Sequence, residues 1–286
     1  MKAAYEHLFA IQNMQPKLIY IDFSRPGILD RSLLFEGKVV IVQKAPPVSK
    51  LREYVMEEQK RILDSEEPYL IHEQMAPAKF NQLKMELNGS LEKDAKVGEL
   101  MRELTEWLGW SVADANFDRP IMRMNPPLSF SSSGEVTPLR SFTKIHRDTW
   151  GINIMSQINL WAPVYPIEAA NTFAFYTQYW TEAVPNTTAE WSYGEYLKKK
   201  NEGYSLMPVA KKDVSASPHW KALLEPGELL VFSSAHMHGS LPNQSDRTRI
   251  NFETRVFFDA DEHEGVGAPN LDTHGKSKAL RIFKKL

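Results

Sequence analysis

The chain contains no cysteine, and that absence removes disulfides, iron–sulfur clusters, zinc–thiolate sites and thiol nucleophiles together. Any metal it holds must rest on His, Asp or Glu. It also lacks an apolar run of the roughly 18 residues needed to span a bilayer. Its first residues, Met1-Lys2-Ala3-Ala4-Tyr5-Glu6-His7, carry charge where a secretion signal needs an apolar stretch. The expectation is a soluble, cytoplasmic protein with no membrane partner. An excess of one charge sign is missing as well: 34 Lys and Arg stand against 36 Asp and Glu, a formal net charge of −2. Without a basic field, nucleic acid is not an expected partner. Repeats and low-complexity tracts are absent, and the two proline patches, Ala45-Pro46-Pro47 and Asn125-Pro126-Pro127, are too short to be linkers.

What is present is a chain of 286 residues, 42% hydrophobic and 24% charged, ordinary for a folded protein and read as one domain over 1–286. Residues 1–116 are mixed helix and strand. Val97, Leu100, Met101, Leu104, Trp107 and Leu108 recur at three- and four-residue steps, predicting a helix over 96–110 that lays one face on a neighbour. Leu51, Val55 and Ile62 mark a second helix over 49–64, and residues 38–43 read as a short buried strand. Over 117–258 helical periodicity fades, and short β-prone runs alternate with Pro, Gly, Asn and Ser clusters, the pattern of a barrel or sandwich. The fold class expected is mainly β with flanking helices.

Two of the β-prone runs alternate in character. Ile158, Leu160 and Ala162 share one face, with Gln157, Asn159 and Trp161 on the other; Ile250, Phe252, Thr254, Val256 and Phe258 oppose Arg249, Asn251, Glu253, Arg255 and Phe257. A polar strand face usually meets solvent. If helices cover the apolar faces, however, the polar faces line an interior, and a polar interior is a pocket. The remaining stretch, 259–286, ends in Lys276, Lys278, Arg281, Lys284 and Lys285 with Leu280, Ile282, Phe283 and Leu286 interspersed, either a docking helix or a frayed end.

Chemistry concentrates in Lys144-Ile145-His146-Arg147-Asp148-Thr149-Trp150. On a strand, residues two apart project to one face, so His146 and Asp148 there can grip one ion. The pair alone is weak and needs a third ligand. Ninety-two positions after His146, an apolar run opened by the turn signal Pro226-Gly227 ends in His236 and His238. Their parity puts both on one face if the strand continues through them, and only one is needed. A turn-rich stretch over 241–247 then returns the chain, bringing Arg249 alongside His238. A guanidinium beside a two-His, one-carboxylate cluster suits an acidic co-substrate, whose carboxylate it can hold through two parallel hydrogen bonds.

The full pattern, His146-x-Asp148, then Pro226-Gly227-Glu228-Leu229-Leu230-Val231-Phe232, then His238-Gly239-Ser240-x-x-Asn243-x-Ser245-x-x-x-Arg249, resembles the Fe(II)/2-oxoglutarate-dependent dioxygenases and, within them, the phytanoyl-CoA dioxygenase-like family. The resemblance covers 117–258. It implies a double-stranded β-helix, the jelly-roll or cupin-like barrel, with helices packed on one sheet. It also implies that His146, Asp148 and His238 are the iron ligands, with His238 preferred to His236 because it directly precedes Gly239-Ser240. Arg249 matches the residue holding the distal carboxylate of 2-oxoglutarate, Ser240 a hydroxyl that assists it, and Trp161 an aromatic near the co-substrate. Thr143 and Arg123 are further candidates on neighbouring strands. The implied cofactors are Fe(II), 2-oxoglutarate and dioxygen, and the implied partner is a small-molecule substrate.

Two imidazoles and a carboxylate leave three positions open on Fe(II), so the implied reaction is decarboxylation of 2-oxoglutarate to succinate with oxidation at a substrate carbon. Hydroxylation is the default outcome, with desaturation, ring closure and epimerisation as alternatives. Asp148 stands where related halogenases carry a small residue, which argues against halogenation. Two other classes stay open: a non-catalytic metabolite sensor on the same barrel, and a cupin-type metal-dependent isomerase or hydrolase.

The chain departs from the family at 168–176, where a Gly-containing turn and a Pro-Gly-Ser-His-like segment are usual. The aromatics that follow, Phe173, Phe175, Tyr176, Tyr179, Trp180, Trp191, Tyr193 and Tyr196, either cover a substrate or pack against the barrel wall. His236 reads as a neighbour of the ligands and not a ligand. His7, His72, His219, His263 and His274 read as surface or core residues. Arg119, Arg123, Arg140, Lys144 and Arg147 read as a solvated face, with an anionic substrate as the alternative.

Overall fold

The computed structural model describes residues 16–131, 145–199, 205, 207–276 and 278–286, so Thr143, Arg140 and Lys144 lie outside the described residues. The larger sheet is built from β1 (Lys17–Asp22), β2 (Lys38–Gln43), β3 (Ala115–Phe117), β4 (Ile121–Asn125), β5 (Ile158–Pro163), β8 (Leu229–Ser233) and β10 (Arg249–Phe258). Its order is β1-β2-β8-β5-β10-β3, with β4 also paired to β10. A smaller sheet has the order β7-β6-β9, from β6 (Phe173–Phe175), β7 (Trp220–Lys221) and β9 (His238–Ser240). β1 and β2 run parallel, and the other pairings are antiparallel.

The four β-branched residues Val39 to Val42 explain the placing of β2, since they are buried on both faces. Val40 and Val42 join the helix-side core, while Val39 and Ile41 pack with Trp161, Phe173, Phe175, Leu230 and Phe232 on the opposite face. That second cluster holds the small sheet against the large one. The helix-side core is closed by α1 (Pro46–Leu63), α2 (Pro77–Glu92) and α3 (Ala95–Trp107). Helix α1 starts on Pro46 and Pro47, whose missing N–H groups cost nothing in a first turn. Helix α3 starts where the Asp94 carboxylate accepts the Lys96 backbone N–H at 2.8 Å. Its stripe Val97, Leu100, Met101 and Leu104 is buried; each such side chain contributes about 1.5–3 kcal/mol.

Both predicted helices and the strand at 38–43 are present within a few residues of their expected bounds. Among the described residues the two sheets are not laddered into a closed barrel; the architecture is a mixed sheet with helices on one face and a small sheet on the other. The basic tail is docked. The Phe283 ring meets Phe257 at 5.0 Å, and Lys284 and Phe117 exchange backbone hydrogen bonds of 2.8 Å. None of the described helices is long and apolar enough to cross a membrane.

Candidate metal centre and its cavity

β5 and β10 divide their side chains between the two faces of the large sheet as their alternation predicts. Ile158, Leu160, Ala162, Ile250, Phe252, Val256 and Phe258 enter the helix-side core. Asn159, Trp161, Arg249, Glu253 and Arg255 line a cavity, together with Asp118, Arg123, His146, Asp148, Phe173, Phe232, His238 and Ser240. The polar strand faces look inward because the small sheet and the segment around residue 146 cover them.

Within that cavity, ligand atoms of His146, Asp148 and His238 all lie within 4.8 Å of one another, and this is the group of metal-ligating type found among the described residues. Asp148 Oδ1 is 3.3 Å from His146 Nε2, and Oδ2 is 3.6 Å from His238 Nε2. The backbone brings the two imidazoles together. His146 and His238 each donate an N–H to the other's carbonyl at 2.9 Å, so they are directly opposed cross-strand neighbours with their rings 4.7 Å apart. The glycine after His238 has a reason in this contact: a Cβ on Gly239 would sit 3.0 Å from Ile145 Cα.

The local conformation departs from the sequence reading at two points. Asp148 is not on a strand with His146 but is the first residue of the short helix α4 (Asp148–Ile152). The chain turns between the two residues, and hydrogen bonds, not strand parity, aim the carboxylate: Asn159 Nδ2 donates to Oδ2 at 2.6 Å. Likewise β8 stops at Ser233, so His236 and His238 do not share a strand face. His236 is buried against Trp180, ring centroids 4.4 Å apart, outside the ligand cluster. Its carbonyl lies 3.0 Å from His238 Nδ1. The proton is therefore assigned to Nδ1, which donates to that carbonyl and leaves the Nε2 lone pair toward the cluster.

Burial pushes His238 down to about 4 and His236 to about 3, so both imidazoles are neutral near pH 7. Burial opposes ionisation of Asp148, but the Arg255 guanidinium and the hydrogen bond with His146 outweigh it and hold the carboxyl well below its ordinary value. His238 and Asp148 are thus in the charge states in which they can bind a divalent cation.

Arg249 is 2% exposed. Its Nη2 donates to Ser240 Oγ at 3.2 Å, while Nε and Nη1 have no partner among the described residues. Burial, then the nearby charge of Arg123, lowers it to about 10, still protonated at neutral pH. A buried guanidinium with orphaned N–H groups is costly unless an anion completes it. Asn125 stands opposite Arg249 in the β4–β10 register and also has an unpartnered side chain. Trp161 lines the same cavity, its ring 4.9 Å from Phe173.

Arg123 lines the cavity as well and pairs with Glu253, its Nε donating at 3.0 Å. Arg147, expected in a solvated face, is instead buried: its guanidinium donates to Asp272, 3.2 Å away, and to the Ala235, Tyr179 and Glu182 carbonyls. Asp272 also accepts from Trp150 Nε1 at 2.7 Å and the Val184 N–H at 2.9 Å, so the C-terminal region buttresses the turn between the two ligands. Asp118 is a cavity residue that sequence reasoning alone does not single out, whereas Asn159, Glu253 and Arg255 come from the polar strand faces already marked by alternation.

No family model matches the chain, and no curated protein matches it in sequence. Solved structures do match, distantly. EvdO2 from Micromonospora carbonacea var. aurantiaca, complexed with 2-oxoglutarate, is 13% identical over 59% of this chain and 62% of that one, with a TM-score of 0.40. The non-heme monooxygenase ThoJ is 15% identical over 73% of this chain and 70% of its own, TM-score 0.40. The epimerase SnoN, in complex with Fe3+, alpha ketoglutarate and nogalamycin RO, is 13% identical over 77% of this chain and 78% of its own, TM-score 0.38.

Proposed function

We propose that this protein is an Fe(II)- and 2-oxoglutarate-dependent oxygenase that oxidises a small molecule at carbon, hydroxylation being the default outcome. In this reading His146, Asp148 and His238 hold the metal, and Arg249, Ser240 and Trp161 receive the keto-acid. The two facing sheets are then the halves of a double-stranded β-helix of the phytanoyl-CoA dioxygenase-like kind, in a single domain. The distant structural likenesses carry no weight in the reading. What supports it is one juxtaposition: a two-His, one-Asp cluster in the same cavity as a buried guanidinium whose N–H groups want an anion.

When bound, iron, 2-oxoglutarate and dioxygen together supply the oxidising power for C–H cleavage, with succinate and carbon dioxide as by-products. The chain's own residues do the rest. Arg249 donates to the far carboxylate while Ser240, accepting from Nη2, keeps the guanidinium in place. Asn125 offers a further donor on the same face. Trp161, Phe173 and Phe232 give the cavity an apolar wall that limits water beside the cluster. Adding 2-oxoglutarate to the anaerobic Fe(II)-loaded protein is expected to produce a visible absorption band, and admitting air to release succinate. Iron-independent turnover, or neither signal, would overturn the reading.

A further inference from the structure

Asp148 is engaged at both oxygens, by a hydrogen bond at one and an ion pair at the other. Asn159 Nδ2 holds Oδ2 at 2.6 Å, and Asn159 is itself fixed, its Oδ1 accepting from Ser234 Oγ at 2.7 Å. Oδ1 is 3.3 Å from Arg255 Nη2. The other arm of that guanidinium, Nη1, donates to Asp118 Oδ2 at 2.9 Å. Asp118 is anchored in turn: its N–H donates to the Arg255 carbonyl at 2.9 Å, its own carbonyl accepts from Thr254 Oγ1 at 2.9 Å, and its Oδ1 accepts from the Arg119 N–H at 2.8 Å. Asn159 lies opposite Arg255 in the β5–β10 register. One row across the sheet therefore aims an amide and a guanidinium at a single carboxylate, with that guanidinium's counter-ion on its other arm.

A guanidinium this close to a cation site needs explaining, because alone it would repel the ion. We propose that Arg255 is a positioning residue that fixes the orientation in which Asp148 meets a divalent metal, and that Asp118 supplies the counter-charge that keeps Arg255 from repelling it. With each oxygen engaged, the carboxylate cannot swing to offer both to one ion. It presents one, and the remaining positions on the metal stay open. The inference rests on the metal-site reading above and deepens it.

The test is titration of Co(II) into the wild type, Asp118→Asn, Arg255→Gln and the double variant, read by calorimetry and by the cobalt d–d absorption bands, with far-UV circular dichroism to check folding. Asp118→Asn removes the counter-charge on the arm of Arg255 turned away from Asp148 and is expected to weaken cobalt binding by about tenfold or more. Arg255→Gln is expected to change the d–d spectrum with binding no weaker than about threefold, and the double variant to recover to that level. A merely structural Asp118 predicts a double variant at least as weak as the single one; that result, or an Asp118→Asn protein that binds like the wild type, overturns the proposal. Arg255→Lys is a second arm that keeps the charge and loses the fork. It should retain affinity and shift the spectrum, and an unshifted spectrum would also count against the role. Failure of the wild type to bind cobalt at all would overturn the metal reading and this proposal with it, whereas binding without recovery in the double variant overturns this proposal alone.

Discussion

Strand β10 carries two chemistries on one backbone. Its Ile250, Phe252, Val256 and Phe258 enter the helix-side core, while Arg249, Glu253 and Arg255, one residue out of phase, line the cavity. The first face gains from leaving water. The second buries Arg249, half-buries Glu253 and Arg255, and leaves two nitrogens of Arg249 unpartnered, a cost that a fold accepts only where the groups have a further use. Neighbouring residues thus differ in what they do: one set packs the helix-side core, the other gives the cavity its charge.

That contrast can be broken or sharpened by substitution. The largest effect is expected at the cluster, where His146→Ala or Asp148→Ala should abolish oxygenase turnover, measured as succinate release, while circular dichroism stays that of a folded protein. On the opposite face, Phe252→Ala should cost about 3–5 kcal/mol of stability through lost burial and an incompletely collapsed cavity, read by urea unfolding. If instead Phe252→Ala were innocuous, the helix-side face would not be the stabilising one. Arg249→Gln should raise the 2-oxoglutarate KM by about tenfold to a hundredfold through loss of a charge-assisted carboxylate contact, with folding stability unchanged or improved. His236→Ala should leave measurable turnover, since the residue touches His238 only through its carbonyl, which alanine keeps.

Acid should expose the cost of the buried imidazoles. His238 and His236 are pushed from an ordinary 6.5 to about 4 and about 3, so between pH 6.5 and those values the unfolded chain binds more protons than the folded one. Metal-free protein should therefore lose stability as pH falls from 7 toward 4. Asp148, held below its ordinary value, adds to the loss only at still lower pH. Urea midpoints at pH 7, 6 and 5 check this, with a shallower dependence expected for His236→Gln.

Period and parity make much of this legible. The stripes at 51–62 and 97–108 specify helices with one buried face, and alternation in 158–162 and 249–258 specifies which side chains share a surface. What those signals cannot carry is where a chain bends. His-x-Asp reads as a strand pair, yet Asp148 opens a helix; β8 reads as running through two histidines, yet it ends at Ser233. Arg147 reads as a surface charge because its acceptors come from residues 179, 182, 235 and 272, none of them local. Asp118 is silent in the sequence for the same reason: its meaning comes from Arg255, 137 positions away.

The reciprocal backbone bond between His146 and His238 has a consequence for how the molecule is made. The two imidazoles sit at the ends of a 92-residue excursion, so no fragment emerging from the ribosome can chelate an ion until that long segment has been synthesised and its ends have met. In the proposed reading, a metal held by all three ligands stabilises only the state in which those ends have met.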